Sequence, residues 1–154
     1  MTHPPGRKSG QGGGTPPSAH AAIDRVERLP TIAEYNALRR SAGWHALPDG
    51  AAAAALAHSL YGVCLCLDDE AIGCGRVVGD GGAYFYIQDL IVRPEYRGHG
   101  LAHRIMESVM AYIDEAAPQG AFIGLMAAPG LETFYARYGF RRLPEDSPGL
   151  GFWR

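Results

Sequence analysis

The chain is short of charge and has no block of either sign. Charged residues make up 19% of its 154 residues, and 14 lysines and arginines against 16 aspartates and glutamates leave a net charge of −2. The basic residues are scattered, with no run of the kind a nucleic-acid or anionic-membrane surface needs, so neither partner is expected. No stretch approaches the roughly 18 uninterrupted apolar residues of a membrane span, and the first thirty residues lack the apolar block of a secretion signal. A cytoplasmic location is therefore expected. Cysteine is scarce as well. Cys64, Cys66 and Cys74 are an odd number, which excludes a fully paired disulfide set and points to a reducing compartment. Cys64 and Cys66 are two apart in a strand-like run, so they project from one face and read as small buried hydrophobes. No CxxC occurs, and no metal site is expected.

What is present suits one globular domain, since 47% of the residues are apolar and the length allows a sizeable core. Residues 1 to about 20 are crowded with Gly, Pro and Ser, and burial there would not offset the entropy of ordering them. They read as a disordered tail, with the domain over 21–154. Ile23, Val26 and Leu29 suggest a first strand. Thr31 and Glu34 have the spacing of a capping box for a helix reaching about Arg40. Residues 41–50 read as a loop and 51–60 as an alanine-rich helix. The period then changes. Runs over 61–67 and 71–78, a turn at 68–70, a Gly-rich turn at 79–82 and a run over 83–92 predict a three-stranded antiparallel meander. In the last run, alternation puts Tyr84, Tyr86, Gln88 and Leu90 on one face and Phe85, Ile87, Asp89 and Ile91 on the other.

After Pro94 and the segment 97–100, the apolar positions Leu101, Ala102, Ile105, Met106, Val109, Met110 and Ile113 fall on one side of a helix. A strand over 121–127, a short helix over 131–138 and a terminal pair from 140–143 and 150–153 complete the expectation. Between strand and long helix, the segment Arg97-Gly98-His99-Gly100 has the makings of an anion site. The first turn of a helix carries unpaired N–H groups and about half a unit of positive charge. Glycine at 98 and 100 lets a ligand approach the backbone, and Arg97 adds a full charge. A Walker loop is excluded for want of Gly-Lys-Ser/Thr, and a dinucleotide fingerprint because His103 stands where a third glycine is needed.

The run Leu90 to Ala102 (LIVRPEYRGHGLA) resembles the acetyl-CoA motif of the GCN5-related N-acetyltransferase (GNAT) superfamily, Gln/Arg-x-x-Gly-x-Gly/Ala, which Arg97, Gly100 and Ala102 match. Phe134 to Phe140 (FYARYGF) resembles the late Tyr-x-x-x-Gly-Phe segment of the same superfamily. The 87–89 strand and the 151–153 end look closer to a small-amine, arylalkylamine-type branch than to histone or ribosomal-protein acetylases. The resemblance implies a single α/β domain with a mixed, largely antiparallel sheet, flanked by helices and splayed between strands 4 and 5. It also implies an acetyl-CoA co-substrate, with no metal required.

Residue by residue, the resemblance places the backbone of Leu90, Ile91 and Val92 along the pantetheine arm. It sets the N–H groups of Gly98, His99, Gly100, Leu101, Ala102 and His103 around the pyrophosphate, with Arg97 at their edge. Tyr135 matches the tyrosine that protonates the departing thiolate in many relatives, and Tyr138 is its neighbour in the same short helix. No Glu or His occupies the strand position that relatives use for a base, where Tyr86 or Gln88 aligns. Asp89 is the only carboxylate on that strand. It would act through water, or bind a cationic amine, if a bulge turned it inward; otherwise it hydrogen-bonds backbone. Trp44, Tyr84, Tyr86 and Gln88 are candidates to line an acceptor pocket. The expected activity is direct acetyl transfer to a primary amine of a small molecule. The alternatives are a protein lysine or N-terminus, and a non-catalytic acyl-CoA sensor. A homodimer is compatible with the sequence.

Overall fold

A computed structural model describes residues 22–146. The expected tail lies outside them, as does the 150–153 half of the expected terminal pair; the other half, 140–143, carries no regular structure. In chain order the elements are β1 (Asp24–Val26), α1 (Ile32–Ser41), α2 (Asp49–Ala57), β2 (Tyr61–Leu67), β3 (Glu70–Gly79), β4 (Tyr84–Val92), a 3-10 turn (Pro94–Tyr96), α3 (Leu101–Ala116), β5 (Phe122–Gly124) and α4 (Glu132–Ala136). The sheet runs β1-β2-β3-β4-β5, antiparallel except for the parallel β4–β5 pair. This is the α/β architecture expected, with α3 packed on one face and α1 on the other. No helix among the described residues is long and apolar enough to cross a membrane.

The core on the α3 side is built from the helix stripe read in the sequence. Leu101, Ile105, Met106, Val109 and Ile113 are buried against Val63, Leu65, Ile72, Val77, Phe85 and Ile87. Close approach of α3 depends on β3 lacking side chains at two places. A Cβ on Gly75 would stand 2.5 Å from Ile105 Cγ2, and one on Gly73 would stand 3.3 Å from Ile105 Cδ1 and 2.9 Å from the Ile91 carbonyl of β4. On the other face, Leu38 of α1 covers Cys64, Cys66, Cys74, Ala71 and Ile91. All three cysteines are free and buried, and burial pushes the Cys64 thiol up to about 12.

Helix α1 is fastened at its start. The Thr31 hydroxyl accepts from the Glu34 N–H, and the Glu34 carboxylate accepts from the Thr31 N–H at 2.7 Å, as the capping-box spacing predicts. The same carboxylate takes a two-pronged ion pair from Arg28, both contacts at 2.8 Å, and a bond from the Ala71 N–H, so it ties α1 to the sheet. The Arg28 hydrogen bonds hold its pKa down to about 2 against the opposing pull of burial. A carboxylate depressed in the folded state stabilises the fold fully above its unfolded value near 4.5, and the contribution fades as pH falls toward 2. Glu34→Gln is therefore expected to lower the melting temperature at pH 7, with the gap to the parent closing between about pH 4.5 and 2. A gap that stays constant over that range would remove Glu34 from the acid response.

Several element lengths differ from the sequence expectation: β1 keeps only Asp24–Val26 of the stretch from Ile23 to Leu29, and β3 runs one residue further at each end. α2 starts at Asp49, whose charge suits a helix amino end, and ends at Ala57. β5 keeps three of the seven expected residues and α4 five of eight. The assignment of faces along β4 is corrected too. Arg76 faces Gln88 and Cys74 faces Ile91, so two residues of β4 stand opposite Gly75 alone. This is a β-bulge, and it reverses the alternation. Phe85 and Ile87 lie on the α3 side, but Asp89 and Ile91 turn to the α1 side while Leu90 and Val92 join the α3 core.

Candidate active site

β4 is bonded to β5 only through Tyr84, Phe85 and Tyr86. Beyond Tyr86 the two strands part, which leaves the far edge of β4 without a strand partner among the described residues up to Val92. That edge leads into the glycine loop. Arg93 still bonds to Ile72 of β3, the 3-10 turn follows, and Gly98 and Gly100 take φ of +81° and +74°. Left-handed backbone at both positions reverses the chain from strand into α3, which is the physical reason for glycine there. Beyond the adjoining residues, no heavy atom of the described residues lies within 4 Å of a Cβ built at either glycine, so this side of the loop is open among them.

Gly100 caps α3 without a side-chain oxygen. His103 and Arg104 are the first helix residues to find a backbone acceptor, both at the Gly100 carbonyl. Among the described residues, the N–H groups of Gly98, His99, Gly100, Leu101 and Ala102 have no backbone acceptor. They border a cleft of about 440 Å³ lined by Val92 and Tyr96 from the strand side, by Gly98 and by Gly100 to His103 along the loop and helix, and by Phe134 of α4. Arg97 donates from Nε to the Val92 carbonyl at 3.0 Å, which holds its guanidinium at the lip. Unpaired N–H groups, a helix amino end, one fixed cation and no obstructing Cβ fit a pyrophosphate.

Of the predicted cofactor residues, Val92, Arg97, Gly98, Gly100, Leu101, Ala102 and His103 line this cleft, whereas His99 does not. The His99 ring lies 3.3 Å from the Tyr96 carbonyl. Leu90 and Ile91 direct their side chains into the two cores, which leaves only their backbone for the open edge. The His103 ring bridges two helices. Its Nδ1 is 2.7 Å from the Tyr138 hydroxyl, its Nε2 is 3.3 Å from Arg137 Nη1, and Phe134 packs on it with ring centres 4.8 Å apart. Arginine only donates, so Nε2 accepts and Nδ1–H donates to Tyr138. Phe134 was missed as a wall of the cleft, because an aromatic beside the expected Tyr135 reads as ordinary packing.

Tyr135 of α4 and Tyr138, in the turn that follows that helix, part company here. Tyr138 has its hydroxyl engaged by His103. Tyr135 is buried, edge-on to Phe134 and Phe140, and its hydroxyl bonds to no described residue. Burial raises the Tyr135 pKa above its ordinary 10, so the group keeps its proton at neutral pH.

The acceptor candidates do not form one pocket. Gln88 and Tyr86 are half-buried on β4, and Tyr84 is exposed at the start of the strand with its ring against Phe122. Four residues of strand, about 13 Å, separate Tyr84 from Gln88. Trp44 is 44% exposed and lies over the Arg39 guanidinium at 5.6 Å. Arg39 reaches Asp89, beside Gln88, so Trp44 is linked to the middle of the strand and away from Tyr84. Asp89 is turned toward α1 by the bulge, and its carboxylate is occupied. Arg76 Nε and the Tyr35 hydroxyl donate to Oδ2 at 2.6 and 2.9 Å, and Arg39 Nη1 donates to Oδ1 at 3.3 Å. Tyr35 and Arg39 went unassigned in the sequence, although their i, i+4 spacing on α1 sets them on one face.

The sequence matches the acetyltransferase (GNAT) domain family model over residues 43–150. The uncharacterised N-acetyltransferase ycf52 of Porphyra purpurea is 28% identical over 124 residues, covering 78% of this chain and 70% of that protein. The crystal structure of a probable acetyltransferase of unknown function from meticillin-resistant Staphylococcus aureus superposes with a TM-score of 0.81 at 33% identity, covering 86% of this chain and 100% of the other. A GNAT-family acetyltransferase of Streptococcus pneumoniae superposes at 0.71 with 25% identity, covering 86% and 98%. With the model spanning well over half of the sequence and the splayed sheet present in the fold, this chain belongs to the GNAT family of acetyltransferases.

Proposed function

We propose that the protein transfers the acetyl group of acetyl-CoA directly to the primary amine of a small molecule. The carrying observation is the continuous track from the unpaired N–H groups at the start of α3 to the strand-free edge of β4. Acetyl-CoA supplies the acetyl group as a thioester when bound. Gly98 to Ala102 and Arg97 hold its pyrophosphate, the backbone of Leu90, Ile91 and Val92 orients the pantetheine arm, and an N–H of that edge polarises the thioester carbonyl. The amine nitrogen bonds to the carbonyl carbon as the carbon–sulfur bond breaks, Tyr135 gives its proton to the sulfur, and the amine proton leaves to solvent. Trp44, Tyr86 and Gln88 contact the acceptor; Tyr84, farther along, contacts only a longer one. No side-chain base is required of an amine that arrives as the free base. A cytoplasmic site of action belongs to the same reading.

A peptide amine is the second reading, favoured by the exposed Tyr84 and Phe122 pair at the edge of the sheet. Free thiol released from acetyl-CoA over a panel of small primary amines, lysine peptides and N-terminal peptides separates these. Turnover of small amines above every peptide is the expected result. Preference for peptides would overturn the acceptor class, and binding of acetyl-CoA with no release above background would make the protein a sensor.

A further inference from the structure

Asp89 holds a backbone conformation that a strand does not adopt unaided. Its φ is +52°, in the left-handed region that side chains other than glycine occupy sparingly and at a cost. The residue sits in the bulge opposite Gly75, at the point where β4 has left β5 and is about to present Leu90 to Val92 along the open edge. Such a conformation persists only where its surroundings over-determine it.

The surroundings here are four side chains on two elements. Tyr35 and Arg39 reach the carboxylate from α1 and Arg76 reaches it from β3, while the Cys74 thiol donates to the Asp89 carbonyl at 3.4 Å. The clamps are themselves held. Arg76 Nη1 donates to the Ala55 carbonyl and the Ser59 hydroxyl, both at 3.0 Å, and Arg39 Nε donates to the His45 carbonyl at 2.9 Å. Arg76 Nη2 also bonds the Tyr35 hydroxyl at 3.3 Å. The carboxylate is 3% exposed, and both oxygens are engaged by donors, two of them guanidinium groups that never accept a proton. To take a proton from an amine, Asp89 would have to break these bonds and leave two half-buried cations uncompensated.

We propose that Asp89 is a positioning residue: with Tyr35, Arg39 and Arg76 it locks the bulge, so that the backbone of Leu90 to Val92 lines up with the amino end of α3. The inference rests on acetyl-CoA lying along that edge. It assigns to α1 and β3 a part in cofactor affinity although neither touches the cleft.

Four variants test it. Asp89→Asn keeps the shape and tolerates left-handed backbone, and Asp89→Ala keeps neither advantage. Arg76→Gln removes a clamp that has no capacity to act as a base. Tyr35→Phe deletes one hydroxyl from a buried ring and is the variant to rely on should the others fail to fold. For each, the acetyl-CoA dissociation constant, kcat at saturating acetyl-CoA, its pH profile and amide exchange over Leu90 to Val92 in the free protein are measured. Loss of one charge-assisted bond in the clamp is expected to weaken acetyl-CoA binding by about tenfold. Tyr35→Phe and Arg76→Gln should share that loss, Asp89→Ala should exceed Asp89→Asn, and exchange at 90–92 should speed up while the pH profile keeps its shape. Asp89→Asn losing about 100-fold in kcat and its acidic limb, with acetyl-CoA affinity intact and Tyr35→Phe like the parent, would make Asp89 a base and overturn the proposal. Unchanged exchange and affinity in Tyr35→Phe would also overturn it. Should the parent protein fail to bind acetyl-CoA, the functional reading falls, and the exchange rates alone then uphold or overturn the clamp.

Discussion

Gly100→Glu is expected to abolish acetyl-CoA binding. Three effects add at one position. A left-handed φ of +74° is unfavourable for glutamate by roughly 1–2 kcal/mol. No described residue fills the space within 4 Å of a Cβ at this position, so the new side chain enters the volume the ligand needs. Its carboxylate also competes for the N–H groups and repels the pyrophosphate, at about 4 kcal/mol for two unit charges 4 Å apart near a protein surface. Together these exceed a thousandfold in affinity. Gly100→Ala, with the strain but neither charge nor bulk, should lose far less. Calorimetric titration with acetyl-CoA measures both, with the melting temperature as the check on folding. A glutamate variant that binds within threefold of the parent would remove the loop from cofactor binding.

Tyr135→Phe should lower kcat by about 100-fold, the usual worth of one general acid, with acetyl-CoA affinity unchanged. Phenylalanine keeps the edge-on packing with Phe134 and Phe140, so the variant tests the hydroxyl and not the fold. The upward displacement of the Tyr135 pKa by burial has a consequence for pH. The group stays protonated through the whole neutral range, and the parent should lose its donor only above pH 10. Tyr138→Phe is the contrast, since it deletes the bond to His103. If Tyr138→Phe carries the loss in kcat and Tyr135→Phe is as fast as the parent, the acid has been assigned to the wrong tyrosine.

Local signals were readable where cause and effect lie close in the chain. Thr31 and Glu34 are three residues apart and form the capping box their spacing predicts. The stripe from Leu101 to Ile113 is buried as its period requires, and the turns at 68–70 and 79–82 order the meander. The bulge was not readable from alternation along β4, because it is a property of two strands: Gly75, on the partner, is where one residue meets two. A lone aspartate in an apolar strand was the available hint. Its partners stayed hidden for the same reason, since Tyr35 and Asp89 are 54 residues apart. β5 was read too long because an apolar run does not reveal where pairing stops, and here it stops at Gly124 as the strands part. The splay itself came from the resemblance to GNAT enzymes, not from any periodicity.

The three cysteines bear on how the chemistry can be followed. Cys64, Cys66 and Cys74 are at most 6% exposed beneath α1, and burial holds the Cys64 and Cys74 sulfurs in the unreactive thiol form. A colorimetric reagent added to the native enzyme therefore reports coenzyme A and is blind to the protein. Loss of structure during a reaction would announce itself as a stoichiometric step of up to three equivalents per chain, distinct from the steady slope of turnover.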